Sequence, residues 1–367
     1  MVLRQALGWG LSVRELFEPQ ARYETPISSI LVLNRGVSPS SDIYLRERLQ
    51  NTAVPVTYAD TGWSVPELWP LFREGTFVIV VRYLNRRAAR LLQNYRNRLS
   101  GVAYLMDDDI PAAAVDRSLP LPYLTMLRKD FSRQAKALAG LCSEVWLTSD
   151  GLEAKYGGPG VRRIDPMYLG STALRPAAQP QSPIRIFYHA TSTHREDAFW
   201  LRGVIEKVQS HRKDTQFEIF GRDTLAQHYA GLPRTEVLKP KRWAEFIDYT
   251  QKTHLDIGLA PLSDTPFNDG RSFNKLFDIT RCGAAGIYAD RAPYAGVVEE
   301  GQTGLLRPHD PDAWVAAILD LAEKTAKRRA IYERAVAFCR ANNDKERRSP
   351  VFARFFDPPA TAYAQAG

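Results

Sequence analysis

The chain has 367 residues, of which 44% are hydrophobic and 25% are charged. This balance excludes an intrinsically disordered chain, the length predicts two domains, and the lack of any run of about twenty apolar residues predicts no membrane span. The formal net charge of +8 favours an anionic partner such as a nucleotide, a phospholipid surface or an acidic glycan. Nucleic acid fits less well, because the basic residues are spread along the chain without a zinc-finger or RNP-type motif.

Residues 1–17 carry a short apolar patch beside Arg4 and lack a long apolar core and a small-residue cleavage site. We therefore expect no signal peptide, and a short amphipathic surface helix is the alternative. The three cysteines, Cys142, Cys282 and Cys339, are too widely spaced for a disulfide framework or a metal-ligand cluster. A reducing, cytoplasmic location is therefore expected.

The first half of the chain alternates short apolar runs with helical segments, which is typical of a parallel α/β sheet. The predicted strands are residues 28–34, 55–58, 77–83, 101–106 and 144–147. One predicted helix follows the first strand and is capped by Ser40 or Ser41. Three further helices are predicted at residues 85–99, 128–141 and 151–156. Five arginines lie on the helix 85–99, and such charge more often marks a solvated face than a binding surface.

Residues 157–183 are rich in glycine and proline, so we place a domain boundary there, between residues 175 and 176. The second half repeats the pattern of strands and helices. Its predicted strands are residues 184–188, 216–220, 255–260 and 286–289, with helices at 197–210, 243–253, 273–282 and through most of 311–339. The tail 341–367 contains Phe352, Phe355, Phe356 and Tyr363, and we expect it to pack back on the first domain.

Three acids, Asp107, Asp108 and Asp109, directly follow the predicted strand 101–106. Ligands bind at the carboxyl ends of strands in open α/β sheets, so these acids are candidates for a site. They could bind a divalent metal together with a diphosphate, or one of them could bind or deprotonate an acceptor hydroxyl. The alternative is that they only cap the following turn.

Residues 268–286 place a polar loop and the start of an amphipathic helix after the predicted strand 255–260. A helix that begins near Ser272 would present unpaired N–H groups and a favourable dipole to a phosphate. Gly270 allows close approach of the backbone, and Arg271 can hold an anion with two hydrogen bonds.

Lys275 would add a point charge, and the three-residue spacing puts Asp278 on the same helical face. One side chain could then meet a diphosphate while the other accepts hydrogen bonds from ribose hydroxyls. The alternative is an ordinary capped helix with a surface Lys–Asp pair.

This run resembles a nucleotide-sugar motif of bacterial GT-B glycosyltransferases of the retaining glycosyltransferase family 4. The matching residues are Asn268, Arg271, Ser272, Lys275, Leu276 and Asp278, followed by Cys282 and Gly283. In that family the basic residues face the donor diphosphate and the final acid faces the ribose. Asp278 stands where the family usually has Glu, and Gly270 stands where the commoner version has its first Glu.

Other segments extend the resemblance. Residues 190–197 look like the family's G-S-P-T-H-x-x-D loop, with matches at His194 and Asp197 and a departure at Ala190. Residues 255–262 and 295–306 resemble the strand before the donor loop and the E-x-G-x-T-G-L-L segment, and 104–110 is similar to Y-D-x-D-D. The match implies that His194 contacts the donor, whereas local packing is the alternative.

The resemblance implies an α/β GT-B fold, in which two Rossmann-like domains face each other across a cleft. Residues 1–175 would form the acceptor-side domain and 176–340 the nucleotide-sugar-binding domain. The implied reaction is metal-independent transfer of a hexose, with retention, from a nucleotide-diphosphate sugar to a glycan or lipid-linked acceptor. Bacterial surface polysaccharide synthesis is the expected setting. The basic helix 85–99 separately suggests peripheral contact with the inner face of the membrane or with a lipid-linked acceptor.

Under this interpretation, one set of residues acts in catalysis and an overlapping set binds the donor. The catalytic candidates are Arg271, Lys275, Asp108 and His194, and the donor-binding candidates are Asn268, Gly270, Arg271, Ser272, Lys275 and Asp278. No cofactor is expected beyond the donor itself. A sugar-nucleotide epimerase of the same architecture and a non-catalytic nucleotide- or glycan-binding scaffold remain alternatives.

Overall fold

The structure is a computed structural model, and it describes residues 11–116, 119, 121–175 and 183–356. The expected N-terminal surface helix is represented by Leu11–Leu16, whereas residues 1–10 and the tail aromatic Tyr363 lie outside the described residues. Within the described ranges, no helix has the length and apolar character needed to cross a membrane.

The chain folds into two compact units. Of the residues that the structure describes, those within Met1–Met167, Asp269–Ser272 and Asp344–Gly367 form the first unit, and those within Tyr168–Asn268 and Phe273–Asn343 form the second. The short segment Asp269–Ser272 thus belongs to the first unit, although it lies within the predicted second domain.

The first unit is built on a six-stranded sheet in which all neighbouring strands are parallel. Its strands are β1 Ser29–Asn34, β2 Val56–Asp60, β3 Thr76–Val81, β4 Leu99–Met106, β5 Glu144–Leu147 and β6 Val161–Arg163. The strand order is β2-β1-β3-β4-β5-β6. Its α-helices are Leu11–Leu16, Pro39–Ser41, Val65–Leu68, Arg86–Tyr95, Ile110–Ala113, Leu121–Ala139 and Asp150–Tyr156.

The core of the first unit explains its sequence pattern. Every residue of β3 is buried. A central strand that is covered on both faces needs apolar side chains at nearly every position, which explains its continuous apolar run. Phe352 and Phe355 belong to the same core. Their rings contact Trp146 at 5.0 Å and Phe77 at 5.1 Å between centroids, respectively.

The second unit also contains a six-stranded parallel sheet. Its strands are β7 Ile184–Tyr188, β8 Thr215–Phe220, β9 Thr235–Leu238, β10 Ile257–Ala260, β11 Ala285–Ala289 and β12 Leu305–Arg307. The order β12-β11-β10-β7-β8-β9 is that of a Rossmann fold. The helices are Arg195–His211, Asp223–Tyr229, Trp243–Lys252, Asn274–Arg281, Pro311–Glu323 and Thr325–Arg347.

Two helix starts differ from their predicted positions. The first α/β helix has its N-cap at Ser38, because Pro39 occupies the first helical turn, where its missing N–H costs nothing. Ser40 and Ser41 are therefore inside the helix and buried. The helix after β10 begins at Asn274, with Phe273 as its N-cap, which is one residue after the predicted start at 273 and two after Ser272.

Candidate functional site

The order of the second sheet reverses between β7 and β10, which are paired neighbours. At such a reversal the loops that follow the two strands run in opposite directions and leave a crevice at the carboxyl edge of the sheet. His189 directly follows β7. The Lys275 ammonium, from the first turn of helix Asn274–Arg281, donates a hydrogen bond to the His189 backbone carbonyl. The Lys275 ammonium is therefore held at the point where the strand order reverses.

Lys275 and Asp278 lie side by side, as their spacing predicts. The Lys275 Nζ is 3.8 Å from the Asp278 Oδ2, and the two side chains are 18% and 16% exposed. The other oxygen of Asp278 accepts hydrogen bonds from both terminal nitrogens of Arg281, at 2.9 and 2.8 Å. Arg281 is only 3% exposed, so this buried guanidinium fixes the orientation of the Asp278 carboxylate.

The side chain of His189, whose carbonyl binds Lys275, forms a second polar pair with Glu218. The His189 Nε2 is 2.8 Å from the Glu218 Oε1, and both side chains are buried. Glu218 also accepts hydrogen bonds from the Tyr249 hydroxyl at 2.8 Å and from Arg185 at 2.9 Å. The His189 Nδ1 is buried and has no hydrogen-bond partner among the described residues.

Burial sets the charge of His189, and hydrogen bonds together with a neighbouring cation set that of Glu218. Burial lowers the pKa of His189, despite the neighbouring carboxylate, so the ring is neutral. Burial raises the pKa of Glu218, but the hydrogen bonds from His189 and Tyr249 and the charge of Arg185 outweigh that effect and leave it below its usual range. Glu218 is therefore a buried anion that orients the His189 ring, and sequence reasoning did not find either residue.

The Asp197 carboxylate contacts both the loop that follows β7 and the loop that follows β10. The Asp197 Oδ2 is 3.1 Å from the His194 Nδ1, and its Oδ1 accepts a hydrogen bond from the Ser263 backbone N–H at 2.8 Å. Asp197 is 1% exposed and the His194 side chain 10% exposed. The two residues matched in the T-H-x-x-D pattern thus form one unit, in which the carboxylate orients the imidazole.

Asn268 shapes the loop that follows β10. Its side-chain nitrogen donates to the Ser263 backbone carbonyl at 2.9 Å, and its backbone N–H donates to the Thr265 hydroxyl at 3.2 Å. Asn268 is 6% exposed. These contacts hold the loop closed, and the predicted contact of Asn268 with the donor remains a prediction.

In the first unit, two of the three acids share a cation that the sequence did not reveal. Arg82 directly follows β3 and has a left-handed backbone with φ of 56°. Its Nε is 2.6 Å from the Asp107 Oδ1, and its terminal nitrogen pairs with Asp108. Arg271 NH1 lies 3.9 Å from Asp108 Oδ1. Asp108 is thus flanked by two guanidinium groups, and its side chain is 21% exposed.

Asp109 has a structural position. It is 0% exposed, and its Oδ1 caps helix Ile110–Ala113 by accepting the Ala112 N–H at 2.9 Å. The Tyr156 hydroxyl donates to the same oxygen at 2.7 Å, and Lys155 lies 2.9 Å from the other. The capping alternative is therefore correct for Asp109.

Gly270 lies against Asp109. A Cβ atom at residue 270 would be 2.6 Å from the Asp109 Cβ, which is closer than two carbon atoms can approach. The Gly270 carbonyl accepts a hydrogen bond from the Ser149 hydroxyl at 2.9 Å. The Ser272 hydroxyl is buried and has no partner in the part of the chain that is described. The close approach that Gly270 allows is thus an approach to protein atoms.

The described residues include no group of three or more His, Cys, Asp and Glu side chains arranged to hold a metal ion. The carboxylates of Asp107, Asp108 and Asp109 each face an arginine or lysine instead. The expectation of a metal-independent reaction remains a prediction.

Neither protein-family models nor curated protein sequences match the chain. Solved structures do match it. Anabaena HepE in complex with UDP-glucose is 14% identical with a TM-score of 0.58, over 87% of this chain and 98% of HepE. A UDP-forming α,α-trehalose-phosphate synthase from Burkholderia xenovorans is 13% identical with a TM-score of 0.58, over 92% of this chain and 100% of the synthase.

A mutant of S. aureus TarM in complex with fondaparinux, α-GlcNAc-glycerol and UDP is 11% identical, with a TM-score of 0.52. The match covers 77% of this chain and 54% of TarM, so the chain spans about half of the TarM length. At these identities the likeness shows the fold alone. Together with the two parallel six-stranded units, it confirms the predicted fold class: the chain is an α/β protein with the GT-B fold.

Proposed function

We propose that the chain is a glycosyltransferase that moves a sugar from a nucleotide-diphosphate sugar to a glycan or lipid-linked acceptor. The observation that carries the proposal is the position of Lys275, whose ammonium is held at the carboxyl end of β7 where the strand order reverses. Ligands of open α/β sheets bind at this point, and a cation on a helix N-terminus favours a diphosphate. The HepE and TarM structures that match contain UDP-glucose and UDP, which supports UDP as the nucleotide.

In this proposal Lys275 stabilises the negative charge that develops on the leaving diphosphate. The hydrogen bond to His189 fixes the ammonium before the donor binds, so little reorganisation is needed in the transition state. Arg271 is the second proposed cation for the diphosphate. Asp278, oriented by Arg281, would accept hydrogen bonds from the ribose hydroxyls.

The other candidates have supporting roles. His194, oriented by Asp197, would donate to a donor phosphate or sugar oxygen, and Ser272 has a buried hydroxyl without a partner among the described residues. Asp108 is the proposed contact to the acceptor. Asn268 and Gly270 are proposed to shape the donor loop. We propose retention of configuration without a metal, with the acceptor proton passing to the leaving diphosphate oxygen, so that Asp108 need not act as a base.

A thermal-shift screen against UDP, GDP, CMP and dTDP tests donor binding, because a ligand stabilises the folded state according to its affinity. UDP should raise the melting temperature most, and Lys275→Ala should abolish the shift. The matched control is Lys252→Ala, since Lys252 is an exposed lysine paired with Asp248 at 2.7 Å. This variant should keep the full shift.

Turnover is measured as UDP release from a UDP-sugar, with and without acceptor. Release that requires acceptor supports a transferase, whereas nucleotide release without any acceptor supports the epimerase, and tight UDP binding without turnover supports a scaffold. Full transfer activity in the Lys275→Ala variant would overturn the assignment of the donor site. The broader setting that we propose is synthesis of bacterial surface polysaccharide, at the inner face of a membrane.

A further inference from the structure

The first unit exposes a cluster of apolar side chains on a short helical segment. Helix Val65–Leu68 continues into the 3₁₀ helix Trp69–Leu71. Leu68 and Phe72 are buried, at 0% and 2% exposure, whereas Val65 and Trp69 are 44% and 49% exposed. Residues four positions apart share a helical face, so Val65 and Trp69 point away from the core together.

Trp63, at 39% exposure, precedes this segment and adds a second exposed indole. The segment is held in place from both ends. The Phe72 ring stacks on Tyr95 with centroids 6.1 Å apart, and the Asn85 side chain donates to the Thr61 backbone carbonyl. The exposed tryptophans therefore lie on a fixed turn that packs against helix Arg86–Tyr95.

That neighbouring helix is strongly basic. The chain has six arginines and no acidic residue between Glu74 and Asp107. Arg86, Arg87 and Arg90 are exposed, while the other face of the helix buries Ala88, Leu91 and Leu92. Among the described residues, no carboxylate forms an ion pair with any of these three arginines.

We propose that this aromatic–basic surface, formed by Trp63, Val65, Trp69, Arg86, Arg87 and Arg90, binds the surface of a bilayer that contains anionic lipids. Tryptophan favours the headgroup region, because its ring is apolar and its N–H is polar. Clustered arginines are attracted to anionic headgroups. This surface would bring the enzyme to a membrane-held acceptor, and in that respect the proposal rests on the proposed function.

One acid lies on the same turn and must be accommodated. The Glu67 carboxylate accepts hydrogen bonds from the Ser64 backbone N–H at 2.8 Å and from the Ser64 hydroxyl at 2.6 Å. Its charge is therefore used to cap the helix. An uncharged glycan could stack on the tryptophans, but it would give no reason for three neighbouring arginines that pair with none of the described carboxylates.

The test is co-sedimentation of the full chain with vesicles, in the absence of any donor. One set of vesicles is phosphatidylcholine alone, and the other contains roughly 30% phosphatidylglycerol, a composition chosen to give a negative surface potential. We expect binding to the anionic vesicles to be roughly tenfold stronger or more, and to weaken as salt screens the charges. Equal binding to both vesicles, or binding to neither, would overturn the proposal.

Two variants test the two halves of the surface. The double variant Trp63→Ala and Trp69→Ala should lower binding to anionic vesicles even in high salt. The triple variant Arg86→Gln, Arg87→Gln and Arg90→Gln should remove the preference for anionic vesicles. If either variant binds like the wild type, that half of the surface is not used.

The control for charge removes three exposed lysines from the second unit. Their side chains are exposed by 52%, 75% and 58% in Lys207, Lys252 and Lys324. Changing these lysines to Gln lowers the net charge by the same amount and should leave vesicle binding unchanged. A loss of binding here would show a nonspecific charge effect and refute the assignment.

The UDP thermal shift of each variant separates this inference from the proposed function. Loss of vesicle binding with a normal UDP shift supports the lipid surface. Binding of the wild type to a soluble acidic glycan, but not to vesicles, would replace the bilayer with a glycan partner. A wild type that binds vesicles but no nucleotide would refute the donor site and leave the lipid surface standing.

Discussion

The hydroxyl of Tyr156 donates a hydrogen bond to the buried carboxylate of Asp109 at 2.7 Å. Burial, together with this carboxylate, raises the pKa of Tyr156, so the phenol stays protonated and remains a donor. Because Asp109 also caps the helix that follows β4, the contact joins the end of β4 to helix Asp150–Tyr156. The most buried of the three acids is thus part of the framework of the first unit.

Asp109→Ala should therefore lower stability more than any change of its neighbour Asp108. Removing the carboxylate leaves Lys155 and the Tyr156 hydroxyl without a shared partner, and we expect a loss of about 2–4 kcal/mol in the free energy of unfolding. Asp108→Asn, at a partly exposed position, should cost less than about 1 kcal/mol while lowering transfer activity. Urea unfolding measures the stability of the two variants, and initial rates measure transfer. Equal losses of stability in the two variants would contradict a structural role that only Asp109 has.

Gly270→Ala should be destabilising, because the new methyl group would lie 2.6 Å from the Asp109 Cβ. Overpacking of this kind typically costs about 1–3 kcal/mol. The matched control is Gly203→Ala in the middle of helix Arg195–His211, where an added Cβ would meet nothing within 4 Å. There the same change should stabilise the protein by roughly 0.5–1 kcal/mol. Thermal unfolding of the two variants should thus shift in opposite directions.

Acid should destabilise the second unit through His189. Its pKa is lowered from the usual 6.5 by burial, so the unfolded chain takes up a proton near that pH and the folded chain does not. Stability therefore falls as the pH drops below 6.5, by up to about 1.4 kcal/mol for each unit of pKa depression. Glu218 adds to the loss at lower pH: its stabilisation is complete above its ordinary value of 4.5 and disappears as the pH falls through its depressed pKa.

His189→Gln should flatten this pH dependence between neutral pH and pH 5, as followed by urea midpoints across that range. The control is His211→Gln, since the His211 ring is exposed and contacts the Lys207 carbonyl at 2.8 Å. The control should lose stability on acidification as the wild type does. An unchanged slope in the His189 variant would show that another group is responsible.

Arg82→Gln should lower sugar transfer by about tenfold or more, because Asp107 and Asp108 lose a charge-assisted partner that holds them in place. UDP binding should be unaffected, since Arg82 is not part of the proposed donor site. Arg82→Lys should recover only part of the activity, because an ammonium cannot replace the planar fork of a guanidinium. Initial rates measure the loss of transfer, and the UDP thermal shift measures donor binding. A loss of the UDP shift in the Arg82 variants would contradict the prediction.

The central strands of both sheets were predictable because burial on both faces leaves an unbroken apolar run, as in β3. Strands β6, β9 and β12 were not predicted. Each lies at an edge of its sheet and contains only three or four residues, several of which are partly exposed. An edge strand is covered less than a central one, so its sequence shows no continuous apolar signal.

In the candidate site, the pairs Lys275–Asp278 and His194–Asp197 could be predicted because each is set by a three-residue spacing along the chain. Arg82, His189 and Glu218 were missed because their partners are brought to them by the order of the strands. Arg82 and His189 share one usable signal, which is their position at the carboxyl end of a predicted strand. Arg82 is the second-last residue of the predicted strand 77–83, and His189 directly follows the predicted strand 184–188. The structural role of Asp109 depends on burial, which three consecutive aspartates do not indicate.

The place of Phe352 and Phe355 in the first core has a consequence for synthesis on the ribosome. The sheet of the first unit is complete by Met167, but these two aromatic residues emerge roughly 190 residues later. At ordinary translation rates this delay is roughly 10–40 s. During that interval the nascent chain exposes the apolar surface around Trp146 and Phe77, so a chaperone that shields this surface should raise the yield of native protein.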